Sequence, residues 1–134
     1  MNNRYNRHNK RKYSLKVHIV LVTKYHKQLP KGSIADDVKQ KILHIANTRG
    51  YEIIVIETDK DHIHFLLSYG TADQVCDIVK IVKQETTYHL WHKYSSVLSE
   101  QYWKEKSFWS DGYSACSIGK VSSATIQKYI GSQS

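Results

Sequence analysis

Asp61-His62-Ile63-His64-Phe65-Leu66-Leu67-Ser68 has the composition of a buried β-strand. Ile63, Phe65 and Leu67 fall at alternate positions, and strand side chains alternate between the two faces of a sheet. His62 and His64 must therefore leave the opposite face side by side. Two imidazoles on one rigid strand are half of a metal site. The other half has to come from elsewhere in the chain.

The flanking segments set the architecture around that strand. Upstream, the polar turn Thr58-Asp59-Lys60 joins it to residues 51–57, where Ile53, Ile54, Val55 and Ile56 read as a second strand, so a hairpin is expected. Earlier still, residues 13–25 carry Val17, Ile19 and Leu21 on one face and His18, Val20 and Val22 on the other. A strand apolar on both faces belongs inside a sheet. Between these strands, Asp36 and Asp37 open a helix carrying Val38, Ile42, Leu43, Ile45 and Ala46, which Gly50 stops. Downstream, Thr71 or Asp73 caps a second helix reaching about His92, with Val75, Ile78, Val79 and Val82 at helical spacing. A loop with Tyr102 and Trp103 follows, then a strand over residues 108–118. Gly119 breaks the chain, and Ser122 caps a short last helix. The order β-α-β-β-α-β plus a helix predicts an α+β, ferredoxin-like (RRM-like) antiparallel sheet with two helices on one face. The other face is left for ligands, as in modules that bind single-stranded RNA on a sheet.

With 134 residues and 40% hydrophobic content, one domain over residues 1–134 is expected. A formal charge of +8 points to an acidic partner, most simply nucleic acid. The excess gathers in residues 1–12, a basic arm holding Arg4, Arg7, Lys10, Arg11 and Lys12 with no acidic residue among them. Such a run is either a solvated tail or an electrostatic clamp. Ten tyrosines and three tryptophans tip the balance toward nucleic acid, because aromatic faces stack on unpaired bases. No apolar stretch has membrane-spanning length and no secretory signal pattern is visible. Cys76 and Cys116 show no zinc spacing and read as reduced packing residues of a cytoplasmic protein, as do Tyr113 and Cys116 on the late strand.

The last helix, residues 122–134, holds Tyr129 and Gln133 four apart on one face, while Ile126 and Ile130 form a separate apolar stripe for docking. With these in view, the chain resembles the HUH nucleases, and among them the small single-tyrosine transposases of insertion sequences. His62-Ile63-His64 fits the histidine–hydrophobic–histidine signature, and Tyr129 with Gln133 resembles the family's tyrosine helix. Val22-Thr23-Lys24-Tyr25, Asp61, Phe108-Trp109-Ser110-Asp111-Gly112-Tyr113 and Tyr129-Ile130 also fit, in the family's order. A lone histidine pair is weak evidence; the ordered set is strong.

The resemblance implies a transposase that cleaves and rejoins single-stranded DNA at element ends, recognising hairpins near them. His62, His64 and Gln133 would hold Mg²⁺ or Mn²⁺, and Tyr129 would be the nucleophile of a 5′-phosphotyrosine intermediate. It also implies a homodimer with composite sites, reached by swinging the last helix about Gly119. On ligand softness alone, two imidazoles suit zinc, nickel or iron, whereas magnesium prefers oxygen. Lys24, Lys80 and Lys83 join the basic arm as candidate DNA contacts. Glu85, His89 and His92 share a helical face and imitate a metal set, but read more simply as a solvated surface or, with Lys80, Lys83 and Lys93, as a groove for a DNA hairpin. The alternatives are a non-catalytic nucleic-acid-binding module, or a replication initiator or relaxase of the same superfamily.

Overall fold

The computed structural model describes residues 15–103 and 105–118. The basic arm (1–12), Gly119, and the last helix with Tyr129 and Gln133 lie outside the described residues. Four strands, β1 (Leu15–Val22), β2 (Glu52–Asp59), β3 (His62–Tyr69) and β4 (Ser114–Ser117), form one antiparallel sheet in the order β2-β3-β1-β4. Two helices, α1 (Gly32–Arg49) and α2 (Val75–Tyr102), connect them as the ferredoxin-like plan requires.

β1 lies between β3 and β4, as its two apolar faces demand: Val17, Ile19, Val20 and Leu21 are all buried. β2 and β3 form the expected hairpin, with the turn one residue later than read from sequence. Asp59 pairs with His62, so Lys60 and Asp61 make a two-residue turn in which Lys60 has φ 51. A register shift between Ile53 and Val55 changes which β2 residues face inward. Ile53 and Ile56 pack against the core while Ile54 and Val55 are exposed, on a strand that is the sheet edge.

Val17, Ile19, Leu21, Ile63, Phe65 and Leu67 meet Val38, Ile42 and Ile45 of α1 and Ile78, Val79, Val82 and Leu90 of α2 in one cluster. Both helices therefore cover the face opposite His62 and His64. α1 starts four residues before Asp36, because Ile34 and Ala35 extend the apolar stripe one turn upstream. Gly50 ends it at φ 81, the left-handed conformation that glycine accepts without Cβ conflict.

Four expectations for the second half of the chain are corrected. Neither Thr71 nor Asp73 caps α2; its N-cap is Gln74. The helix does not end near His92 but runs to Tyr102, because the buried stripe continues through Leu90, Trp91, Leu98 and Tyr102, with a kink at Tyr94 (φ −123, ψ 34). The late strand is shorter than residues 108–118: only Ser114–Ser117 pairs with β1, and Trp109 makes an isolated bridge to Thr23. Nor are Cys76 and Tyr113 packing residues, since both are exposed, and Cys116 is only half-buried; both thiols are free.

Candidate functional site

His62 and His64 lie on an interior strand, flanked by Asp59 and Glu57 of β2 on one side and by Val22 and Val20 of β1 on the other. Cross-strand partners project from the same face, so the imidazoles are hemmed in laterally. On that face the imidazoles themselves are buried: His62 is 2% exposed and His64 7%. Their ring centroids are 5.9 Å apart, and His18, also buried, stands 5.6 Å from His64. Burial, reinforced by His64, pulls the His18 imidazole down to about 4; burial likewise lowers His64, against the opposing pull of Glu57. Both rings are therefore neutral at pH 7, the form in which imidazole offers a lone pair.

Each histidine of the pair has one nitrogen near a carboxylate and one without a partner. His62 Nδ1 donates to Asp61 Oδ1 at 3.3 Å, and its Nε2 is buried without a hydrogen bond. His64 Nε2 is 3.7 Å from Glu57 Oε1, and its Nδ1 is the orphan. An unpaired buried polar atom costs about 1–3 kcal/mol. Two on one face of the same strand are donors of the kind a Lewis acid takes. Among the described residues no group of three His, Cys, Asp or Glu side chains is placed to hold a metal ion, so the pair does not complete a ligand set there.

Asp61 is tied at both oxygens. Its Oδ2 accepts from His26 Nδ1 at 2.7 Å. Burial pushes the Asp61 carboxyl up, but the hydrogen bonds from His26 and His62 outweigh it and hold the group below the usual carboxylate range. His26 comes from the short 3₁₀ turn Lys24–His26, in which Tyr25 (φ 61) and His26 (φ 55) are both left-handed. Such residues cost about 1–3 kcal/mol each, so the turn has to be held from outside. The Thr23 backbone N–H donates to the Asp61 carbonyl (2.8 Å), and its hydroxyl lies 2.6 Å from the Lys27 carbonyl and 3.1 Å from that of Asp61. The Lys24 N–H donates to the Phe108 carbonyl, and the Tyr102 hydroxyl donates to the carbonyls of Lys24 and Phe108. Sequence reading missed this anchor. His26 and Asp61 are 35 residues apart in segments without periodicity, and only the motif positions Thr23 and Asp61 hinted at it.

The lysines expected to contact DNA have different surroundings. Lys80 is exposed. Lys24 pairs with Glu105 at 3.3 Å. Lys83 directs its ammonium at three carbonyls, those of Ser110 (2.8 Å), Asp111 (3.0 Å) and Gly112 (2.9 Å), which uses its three donors. Burial lowers the Lys83 amine against the opposing pull of Asp111. The clamp shapes one end of a groove of about 860 Å³ between α2 and residues 106–111. Tyr88 and His92 stack there, 6.4 Å apart, beside Trp91, whose Nε1 donates to the Ser107 carbonyl. Glu85 is engaged elsewhere, by Arg49 at 3.3 Å, so it does not join His89 and His92 as a ligand.

Comparison with known proteins gives one consistent answer. The family described as "Transposase IS200 like" matches residues 11–133. The ISDra2 transposase TnpA of Deinococcus radiodurans is 33% identical over 121 residues, covering 90% of this chain and 85% of its own. A crystal structure of a Deinococcus radiodurans R1 protein assigned as a transposase superposes with a TM-score of 0.74 at 27% identity, over 89% of this chain and 90% of that one. A REP-associated tyrosine transposase bound to a REP hairpin shares the fold, with a TM-score of 0.62 at 12% identity over 88% of this chain and 63% of its own.

Proposed function

The chain belongs to the IS200-like transposase family, and from that premise we propose that it cuts and rejoins single-stranded DNA at the ends of an insertion sequence through a covalent bond to Tyr129. The observation that carries this reading is the pair of buried, partnerless nitrogens, His62 Nε2 and His64 Nδ1, on one face of β3. A buried polar atom without a protein partner calls for an explanation, and a bound ion is one.

His62, His64 and Gln133 would hold Mg²⁺ or Mn²⁺. Both imidazoles lie next to a carboxylate, as metal-binding histidines do; a phosphate oxygen and waters would supply the harder ligands that magnesium prefers, and neutral protein ligands would leave the cation's charge undiminished. When bound, that charge offsets the negative charge by which a phosphodiester repels nucleophiles. The Tyr129 oxygen attacks phosphorus, the P–O3′ bond breaks, and the departing strand end takes up a proton as a 3′-OH. Tyr129 then carries the 5′-phosphate. Attack by a second 3′-OH reverses the exchange and returns the phenol, so strands are joined with no ATP and no net hydrolysis. The partner in this reading is single-stranded DNA with a hairpin, supported by the basic charge and by the hairpin carried by the REP-associated transposase. The acting unit is a homodimer whose sites combine the histidines of one copy with the tyrosine helix of either copy, joined through Gly119.

A labelled hairpin oligonucleotide carrying the cognate end, incubated with protein and Mn²⁺, tests the reading on a denaturing gel. A band that survives denaturation, and is lost in Tyr129→Phe with hairpin binding retained, is expected. No such band from the wild type on any cognate strand would leave a module that binds nucleic acid without cutting it.

A further inference from the structure

His26 occupies left-handed backbone directly after Tyr25, which does the same. Its side chain is 76% exposed, so burial does not hold it there. Its backbone N–H donates to the Thr23 carbonyl at 3.0 Å, and its side chain reaches from Nδ1 to Asp61 Oδ2 at 2.7 Å, across the start of β3. A strained, solvent-facing residue that spends its geometry on one side-chain contact points to that contact as its purpose. The carboxylate it reaches also accepts from His62 Nδ1, on the other oxygen. An ionised carboxylate only accepts, so both Nδ1 atoms carry hydrogen, and in the neutral ring the lone pair of His62 is then on Nε2, the orphan.

We infer that His26 is a positioning residue. It fixes the Asp61 carboxylate, and through it the tautomer and ring orientation that present His62 Nε2 to a metal. The chain His26–Asp61–His62 extends the metal site outward by two side chains, and begins in the turn that follows β1. The consequence for metal affinity rests on the reading above; the tautomer of His62 does not.

Two substitutions separate the hydrogen bond from the strain. His26→Asn keeps an N–H donor where Nδ1 stood and accepts the left-handed backbone, whereas His26→Gly accepts the backbone and removes the donor. Full-length, metal-free protein labelled with ¹⁵N-histidine reports the His62 tautomer in long-range ¹H–¹⁵N spectra, and Mn²⁺ alone, followed by water-proton relaxation, reports affinity. The wild type and His26→Asn should show hydrogen on His62 Nδ1 alone, and His26→Gly a mixture of tautomers with Mn²⁺ binding weakened about tenfold. His26→Gly with the wild-type tautomer and affinity, whatever its melting temperature, overturns the inference. A wild type that takes up no Mn²⁺ overturns the metal reading instead, and the tautomer spectra then decide the role of His26 unaided.

Discussion

The His64 imidazole is at odds with the interior that holds it. Its Nδ1 is buried without a partner, and burial lowers the pKa of the whole ring. Replacing it with a side chain that has no polar atom removes that cost, of about 1–3 kcal/mol. We predict that metal-free His64→Leu melts no lower than the wild type while strand cleavage is abolished. A melting temperature several degrees lower would show that the imidazole is there for packing. His62→Ala should likewise abolish cleavage yet leave the hairpin shifted in an electrophoretic assay, because phosphate and hairpin contacts are expected on the basic surface. Loss of the shift in His62→Ala would place hairpin contacts at the histidines themselves. The face that these two side chains share was legible from alternation alone. Their burial was not, because it depends on the rest of the chain, and neither pairing register nor what packs beside a strand is written in that strand alone.

At the scale of elements, two ties position the long helix α2. Asp37 of α1 accepts from the Tyr94 hydroxyl and from Lys93 Nζ at 3.0 Å, at the kink of α2. The Tyr94 hydroxyl first, then Lys93, holds the Asp37 carboxyl below the ordinary range. A carboxylate depressed on folding contributes stability above its unfolded pKa and loses it as pH falls through the lower folded value. Asp37→Asn should therefore cost about 1 kcal/mol at pH 7, with the gap to wild type closing below pH 4 in urea unfolding. An equal gap at pH 7 and pH 3 would contradict this. The second tie is Lys83 on the carbonyls of Ser110, Asp111 and Gly112. Lys83→Met strands those acceptors and should lower stability, but leave the salt dependence of DNA binding as it was. A lysine that contacts phosphate would instead reduce the log–log slope by about 0.7. The hairpin and the start of the last strand were misplaced by one to six residues from sequence, where turn geometry decides. The end of α2 was misplaced by ten, because Tyr102 reads equally well as a loop aromatic until the core that buries it with Leu98 is known.

For the whole molecule, the strand order β2-β3-β1-β4 and the placement of both helices on the Ile63 face followed from periodicity and element order. What periodicity could not reveal is the clip between His26 and Asp61, which joins distant, aperiodic segments. Among the described residues, no helix is long and apolar enough to cross a membrane. A chain of charge +8 that grips nucleic acid by its phosphates should bind less tightly as salt rises, with a log–log slope of about −0.7 for each single-strand contact. Fluorescence anisotropy on the hairpin oligonucleotide from 50 to 300 mM salt measures it, and a flat response would contradict the role assigned to Arg4, Arg7, Lys10, Arg11 and Lys12. The central claim is chemical: the phosphate passes through Tyr129. Digesting the protein–DNA adduct formed in Mn²⁺ and locating the nucleotide by mass spectrometry tests it most directly. A 5′-phosphonucleotide on the Tyr129 phenol oxygen is the predicted result; a nucleotide on any other side chain, or cleaved strands ending in free 5′-phosphate with no adduct formed, would contradict it.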